Sequence, residues 1–310
     1  MKIKFNDIIN YLKFNDIPFE LKGNPKDCYT ITSLFYPEPD GFYYIENELS
    51  FDVKLIDSLI LSNFNLILDE GNVVLLVTES PQEIFYKMLN FYFREESSGL
   101  ICETVKIHKE ALIGKNVQID PFVVVGKCVI GDNTIIKSHT VITDNTKIGS
   151  NVLIEHSCTI GATGMAWIWD NNGNRIVQPQ LGGVIIEDYC RIGAQTVIVR
   201  GSLNENSRIG THTVIAPGAR IGHGTQIGKY VHLANNVVTG GNTVIGAYCF
   251  IGSSAVFRPK IKLHTYTTVA AGAVVVKNTS KENLTLIGVP AAETATKEIS
   301  NGIPKSKSKK

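Results

Sequence analysis

An aliphatic residue recurs at every sixth position through much of the chain, and this spacing constrains the fold more than any other feature. Stepping by six from Ile209 gives Ile215, Ile221, Ile227, Leu233, Thr239, Ile245, Ile251, Phe257, Leu263, Val269 and Val275, of which Thr239 alone is polar. The same step links Ile130, Ile136, Ile142, Ile148, Ile154 and Ile160, and again Ile186, Ile192 and Ile198. An α-helix, with about 3.6 residues per turn, cannot keep every sixth residue on one face. An amphipathic strand shows period two, and only over short runs. A hexapeptide period fits a parallel β-helix in which three six-residue sides make one rung. The aliphatic residue of each side points inward, and Gly, Asn or Asp follows at a corner where φ can turn positive. One rung is then eighteen residues, so residues i and i+18 stack. β-Branched Ile and Val suit the short strands.

Composition shifts near residue 103, from mixed and aromatic to Ile, Val and Gly. The predicted organisation is a small α/β domain over 1–102, a β-helix over 103–291 and a polar, basic tail over 292–310. In the first domain, the pattern predicts helices at Asp7–Asn15 and at Pro81–Tyr92, the latter with Ser80 as N-cap. Strands are predicted at Phe42–Ile45, Leu59–Leu61, Leu66–Leu68 and Val73–Val77. With 30 basic and 29 acidic residues the net charge is +1, which argues against a nucleic-acid binder. The ending PKSKSKK reads as a solvated tail. No run of about 18 apolar residues spans a membrane, and the N-terminus lacks a signal-peptide core, so the expected compartment is the cytoplasm. The six cysteines make no CxxC, and they read as buried, reduced thiols.

One segment breaks the period. Residues 163–183 carry Trp167, Trp169 and a hairpin-like Asn172-Gly173 turn. Exposed tryptophans need cover, so this arm is expected to pack on a neighbouring subunit or a ligand.

A β-helix alone names no function. The histidines are the obvious acid–base candidates. His108, His139, His156, His212 and His264 read as corner or surface residues. His223 stands apart, because it follows a Gly corner and Gly241 lies one rung later. An imidazole beneath a glycine backbone suits acyl transfer: the imidazole takes a proton from an attacking amine or hydroxyl, and a backbone N–H holds the thioester oxyanion. Zinc would need three clustered histidines. His212, His223 and His232 share no column at eighteen-residue spacing, so no metal is expected.

Residues 103–291 resemble the hexapeptide-repeat acyltransferases, which implies a left-handed parallel β-helix. Two branches of that family compete. The stretch 151–203, with its D-x-x-G-N turn, PQ-x-G-x-V-I-I segment and IGA-x-T-x-I-x-RG motif, resembles the UDP-3-O-acylglucosamine N-acyltransferases of lipid A synthesis. That resemblance implies His223 as catalytic base, Gly241 as oxyanion glycine and an acyl carrier protein as donor. It also implies a uridine-binding role for the first domain, where Tyr44-Ile45-Glu46-Asn47 resembles the segment that stacks and hydrogen-bonds uracil. Tyr44 and Asn47, with Trp167 and Gln180 of the arm, are the expected substrate-binding residues. The second branch is the nucleotide-sugar N-acetyltransferases. His232, nine residues after His223, and the ending VAAGAVVVKNTSKENLTLIGVPA resemble their acetyl-CoA contacts, which implies Ala270, Ala271, Gly272 and Pro290 as cofactor-binding residues. Ala216-Pro217, Val199 and Met165-Ala166 replace an Asp-Asn pair, an Asp and a Phe-Gly of the lipid A branch.

The preferred reading is an N-acyltransferase that moves an acyl group, acetyl above others, from acetyl-CoA or another acyl-CoA to a nucleotide-linked amino sugar for surface polysaccharide synthesis. The expected assembly is a homotrimer with sites between coils. The alternatives are the lipid A N-acyltransferase and a non-enzymatic structural β-solenoid.

Overall fold

The computed structural model describes residues 1–46, 54–66 and 71–295. They fall into two compact units, Met1–Glu95 and Glu96–Lys310. The parting lies earlier than 102 because Ile101 already bridges Ile119 of the coil.

The first unit is a six-stranded sheet in the order Lys2–Lys4, Cys28–Ile31, Gly41–Ile45, Leu59–Ser62, Val73–Val77, Phe19–Lys22. The four inner strands run parallel, and each outer strand pairs antiparallel. Leu59–Ser62 is buried along its whole length, as a central strand of a two-faced sheet must be. Helices Phe5–Phe14 and Pro81–Phe93 cover it, and the Ser80 side chain accepts from the Glu83 N–H at the second helix's start. The expected strand at Leu66–Leu68 does not form at Leu66, and the rest of it lies outside the described residues. Asn47 also lies outside them.

The second unit is a parallel β-solenoid with three sides. The first side runs from Lys106–Ile107 to Val274–Val275, and the second from Leu112–Ile113 to Lys262–Leu263. The third runs from Gln118–Ile119 through Thr268–Val269 to Leu284–Ile287. Ala292–Ala295, expected in the polar tail, instead returns antiparallel along Leu284–Ile287 and closes the coil's end. The hexad residues form one buried column from Ile119 to Leu286. Removing one such Ile side chain to Ala would cost about 2–5 kcal/mol.

Corner chemistry repeats with the rungs. Thr134 and Thr213 hydroxyls donate to the carbonyls of Gly149 and Gly228 at 2.9 Å each. Cys158, Cys190 and Cys249 occupy the same position and donate Sγ–H to Gly193, Gly210 and His264 carbonyls at 3.2 Å. Burial pushes the thiols of Cys128 and Cys158 up to about 11 and those of Cys190 and Cys249 up to about 12, so they stay protonated and inert. At the corner between the second and third sides, Asn133 and Asn151 hold the positive-φ position early in the coil. Later Tyr189, His212, Tyr230, Tyr248 and Tyr266 hold it, and their rings stack with centroids 4.6–5.2 Å apart. This stacking offsets the strain of a left-handed backbone at bulky residues.

Two rungs are longer than the rest, both at the corner between the first and second sides. Ile160 pairs with Ile198, which leaves room for the inserted arm. Ile198 then pairs with Ile221, twenty-three residues on, so the next corner bulges outward at 200–206. This corner adds five residues to the eighteen-residue rung. From Ile209 to Val275 every partner within the coil is eighteen residues ahead, and the last rung closes at seventeen, Val269 pairing with Leu286.

Candidate active site

His223 lies in the rung directly after the two extended corners, on the same edge of the coil. The strand Arg220–Ile221 ends the first side, Gly222-His223-Gly224 makes the corner, and Gln226–Ile227 begins the second side. Ile221 pairs with Thr239, so His223 stacks on Gly241 as the eighteen-residue step implied. The ring's Nε2 occupies the space that a Cβ at position 241 would take. Any side chain there would displace the imidazole. Asn242 donates its N–H to the His223 carbonyl at 2.7 Å, and Gly240 donates to Phe257 at 2.9 Å. Among the described residues, the Gly241 N–H between them donates to nothing. An imidazole nitrogen and an open backbone donor thus sit side by side.

The partner of His223 was not legible in the sequence. The Ser202 hydroxyl lies 3.0 Å from His223 Nδ1. Ser202 belongs to the 200–206 bulge, which Glu205 holds in shape by accepting the N–H groups of Ser202 at 2.6 Å and Leu203 at 2.9 Å. Burial alone would raise the Glu205 carboxyl, but these backbone donors and the Ser202 hydroxyl together bring it below its ordinary value. Glu205 therefore serves the corner as an ionised carboxylate. Thr239, the polar exception in the hexad column, sits under the same corner, where its hydroxyl accepts the Gly222 N–H at 3.0 Å. The break in the apolar period was the signal for it.

The arm reaches the site through its return segment. Leu181 donates to the Ser202 carbonyl at 2.8 Å, Gly182 to Gly201 at 3.1 Å, and Gly201 to Gly183 at 3.1 Å. Arg200 ties the two extended corners together, with Nε 3.0 Å from the Gly161 carbonyl and Nη2 2.6 Å from Thr143 Oγ1. Further out, Trp167–Trp169 and Arg175–Val177 form the expected hairpin. Asp170 fixes its turn by accepting from the Asn172 and Asn174 N–H groups, and Arg175 covers both indole rings. Trp167 and Trp169 remain half-exposed. Gln180 is buried at the arm's base, and neither its amide N nor its amide O has a partner there.

A groove of about 410 Å³ runs along the second side beside the bulge. Leu112, Val129, Leu181 and Leu203 supply its apolar wall, and Lys147 and Lys127 its charge. Lys127 pairs with Glu110 at 2.6 Å.

The remaining expected residues lie elsewhere. His232 faces outward on the third side and stacks on Phe250 with centroids 5.2 Å apart, and burial lowers its pKa. Ala270, Ala271 and Gly272 form a corner between the third and first sides, and Pro290 lies in the turn between the last two strands. A single coil does not bring these four residues or His232 to the His223 corner. His212 stands on a third edge, in the aromatic stack, and no group of three or more metal-binding side chains gathers among the described residues. In the first unit, Tyr44 packs its ring on Phe85 and Tyr86 and accepts from Gln82 Nε2 at 2.9 Å. Glu46 beside it accepts from the Ser80 hydroxyl. No helix of the described residues is long and apolar enough to cross a membrane.

Comparison with known proteins matches this architecture. The sequence model of the bacterial transferase hexapeptide repeat (six repeats) matches residues 110–144 and 206–241, the second stretch containing His223 and Gly241. These two stretches thus carry the hexapeptide repeat, and the chain resembles the acyltransferases built on it. More particularly, the UDP-3-O-acylglucosamine N-acyltransferase of Xanthomonas euvesicatoria pv. vesicatoria (strain 85-10) is 42% identical over 74 residues, covering 18% of this chain and 22% of that protein. The protein of the same name from Xylella fastidiosa (strain 9a5c) is 44% identical over 62 residues, covering 14% and 18%. The matched stretch spans about a fifth of the length of these relatives. Among solved structures, the UDP-N-acetylglucosamine O-acyltransferase of Moraxella catarrhalis RH4 superposes with a TM-score of 0.56 at 27% identity, over 62% of this chain and 73% of that one. The Francisella novicida UDP-N-acetylglucosamine acyltransferase gives 0.56 and 27%, over 63% and 69%.

Proposed function

We propose that this protein is an N-acyltransferase that acylates the amine of a UDP-linked, 3-O-acylated glucosamine from a thioester donor. The observation that carries the reading is the His223–Gly241 corner, where a ring nitrogen and an open backbone N–H adjoin. The acceptor amine attacks the thioester carbonyl, so a C–N bond forms and the C–S bond breaks. His223 takes the amine proton and can return it to the departing thiolate, while the Gly241 N–H bears the oxyanion. The relatives' names support a UDP-glucosamine acceptor, and thereby the lipid A alternative over the acetyl transfer preferred from sequence. The groove beside the bulge fits an acceptor of that kind, with leucines for an acyl chain and Lys147 for a phosphate.

The reading includes a homotrimer. His223 and the Ala270–Gly272 corner occupy different edges of one coil, so a neighbouring copy would have to bring them together. Half-exposed Val124, Val141, Val238 and Val256 line the first side and would gain cover there. Tyr44 is the candidate for stacking on the uracil.

The test is a donor and acceptor panel with the purified protein. UDP-3-O-acylglucosamine and UDP-N-acetylglucosamine are offered as acceptors, with acyl carrier protein thioesters, long-chain acyl-CoA and acetyl-CoA as donors. N-acylation of the first acceptor from the carrier-protein thioester is expected. Turnover only with acetyl-CoA and another amino sugar would restore the acetyltransferase reading, and no transfer from any donor would refute both.

A further inference from the structure

On the edge that carries His223, the third residue of a corner donates its N–H to a carbonyl one rung earlier. Asn145 donates to Lys127 at 3.1 Å, Asn242 to His223 at 2.7 Å and Lys260 to Gly241 at 2.9 Å. At Gly224 the preceding rung is the 200–206 bulge, and no backbone carbonyl takes its N–H among the described residues. The Gly224 N–H donates instead to the Ser207 hydroxyl at 2.9 Å. A backbone N–H only donates, so the Ser207 oxygen accepts there and keeps its own proton for another partner. That partner is the Val199 carbonyl, 2.6 Å away. Ser207 is fully buried, so water cannot replace either bond unless the corner opens.

We propose that Ser207 is a positioning residue that seats the His223 corner on the bulged rung. This rests on the acyl-transfer reading for its purpose, though not for its geometry. One hydroxyl joins three segments: Val199 before the bulge, Ser207 after it, and Gly224 beside the imidazole. Gln226 adds a second tie, with Nε2 donating to the Asn206 carbonyl at 2.7 Å and to the Gly224 carbonyl at 3.1 Å. Asn206 lines the groove, and its Oδ1 accepts the Gly183 N–H of the arm's return segment at 2.9 Å. The imidazole is thereby set against the groove through Ser207 and Asn206. A general base acts only within hydrogen-bond reach of the proton it takes, and a small misplacement is costly. Without the hydroxyl, the buried Gly224 N–H loses its acceptor, and the corner has to move to find another.

The coil itself supplies the means to separate this hydroxyl from its packing. Val184 stands one rung before Ser207 and Thr225 one rung after, so the column admits a β-branched side chain with or without a hydroxyl. Thr213 makes the same pair of bonds at the corner between the second and third sides. It is equally buried, accepts the Val231 N–H at 3.2 Å and donates to the Gly228 carbonyl at 2.9 Å. Thr213 therefore measures what such a bridging hydroxyl contributes to the coil away from His223.

The test compares Ser207→Val, Ser207→Thr and Thr213→Val in the full chain. Amide exchange followed by NMR should show Gly224 opening about 10- to 100-fold faster in Ser207→Val than in wild type, with Ser207→Thr and Thr213→Val near wild type. In kinetics, Ser207→Val should lower kcat by about 10- to 100-fold with KM within a few-fold. Ser207→Thr should keep kcat within a few-fold of wild type, and so should Thr213→Val, even though Thr213→Val lowers Tm. Ser207→Ala, which asks for no extra volume, should behave as Ser207→Val and stands in for it if the valine does not fold. A Gly224 amide equally protected without the hydroxyl, or a kcat loss no larger than that of Thr213→Val, would overturn the proposal. Where no donor gives acyl transfer, the ring signals of His223, assigned by their loss in His223→Asn, decide. Signals displaced in Ser207→Val and unmoved in Ser207→Thr and Thr213→Val would keep the seat and fell the proposed reaction; signals unmoved in all three would fell the seat as well.

Discussion

Two kinds of corner in the same coil treat an identical backbone group in opposite ways. At Lys115, Lys127 and Ser150, the N–H of the second corner residue is capped by an aspartate from the next rung. Asp132, Asp144 and Asp188 accept there at 2.7, 2.7 and 2.8 Å. At Gly241 the register puts Pro259 in the aspartate's place, and the N–H has no acceptor among the described residues. One rung earlier, the place above His223 is held by Gly241 itself, which has no side chain to offer. The aspartate-capped corners close this donor, whereas other corners, those at Ala194, Asn235 and Ala247 among them, leave it without an acceptor among the described residues. At the His223 corner the open donor belongs to the residue whose Cβ space a titratable ring fills. An unsatisfied donor is tolerable where a substrate oxygen will meet it.

The largest expected effect breaks the functional side of this contrast. His223→Ala should lower kcat by about 10²- to 10⁴-fold, the usual worth of a positioned general base. Its melting curve should stay near wild type, since a corner side chain adds nothing to the Ile/Val column. His156→Ala is the matched control, at a corner without such a pairing, and steady-state rates should differ from wild type by no more than a few-fold. A reversed outcome would move the site to another edge.

Pro259→Asp converts the active corner into a structural one. The new carboxylate would stand where Asp144 stands for Lys127, and would cap the Gly241 N–H. Loss of an oxyanion donor costs about 10²- to 10³-fold in kcat, so a comparable drop is expected, together with an unchanged or raised Tm. An active Pro259→Asp enzyme would show that the Gly241 amide takes no part.

Asp132→Ala is the converse change at a closed corner. It leaves the Lys115 N–H without its cap and should cost about 0.5–1.5 kcal/mol in denaturant unfolding. Activity should not move, because Asp132 lies on the edge between the second and third sides, away from His223.

The smallest effect concerns His232 and pH. Burial depresses its pKa in the folded coil. A depressed value means that the unfolded chain binds the proton more readily, so stability is full above the unfolded value of about 6.5 and falls as pH drops below it. Thermal melts from pH 7.5 to 5.5 should show that extra loss in wild type and less of it in His232→Gln. Equal slopes would mean that the half-buried ring stays hydrated.

How far the site could be read from sequence follows the register. Between Ile209 and Val275 each rung repeats the last at eighteen residues, so the pairing of His223 with Gly241 was legible from spacing alone. The same spacing failed at Glu205. It falls eighteen residues before His223, but the bulge at 200–206 adds five residues, and Ser202 rather than Glu205 meets the ring. The hairpin turn of the arm was legible because Asp170, Asn172 and Gly173 act on their own backbone. The pairing of 181–183 with 201–202 was not, since it joins two irregular segments that no period relates. His232 and Ala270–Gly272, expected from family resemblance, stand on other faces of the coil than His223, a separation that follows from how the rungs turn.

The hexapeptide period by itself determined a three-sided parallel coil, its Ile/Val column and the buried thiols within it, because each rung obeys the same local rule of an inward aliphatic residue and a tight corner. It also marked Thr239 as the one inward position outside that rule. Only the tertiary structure decided which atoms surround His223. Insertions of differing length at two successive corners set their backbones side by side, and hydrogen bonds between those backbones, not any pattern along the chain, bring Ser202 to the ring and Glu205 behind it.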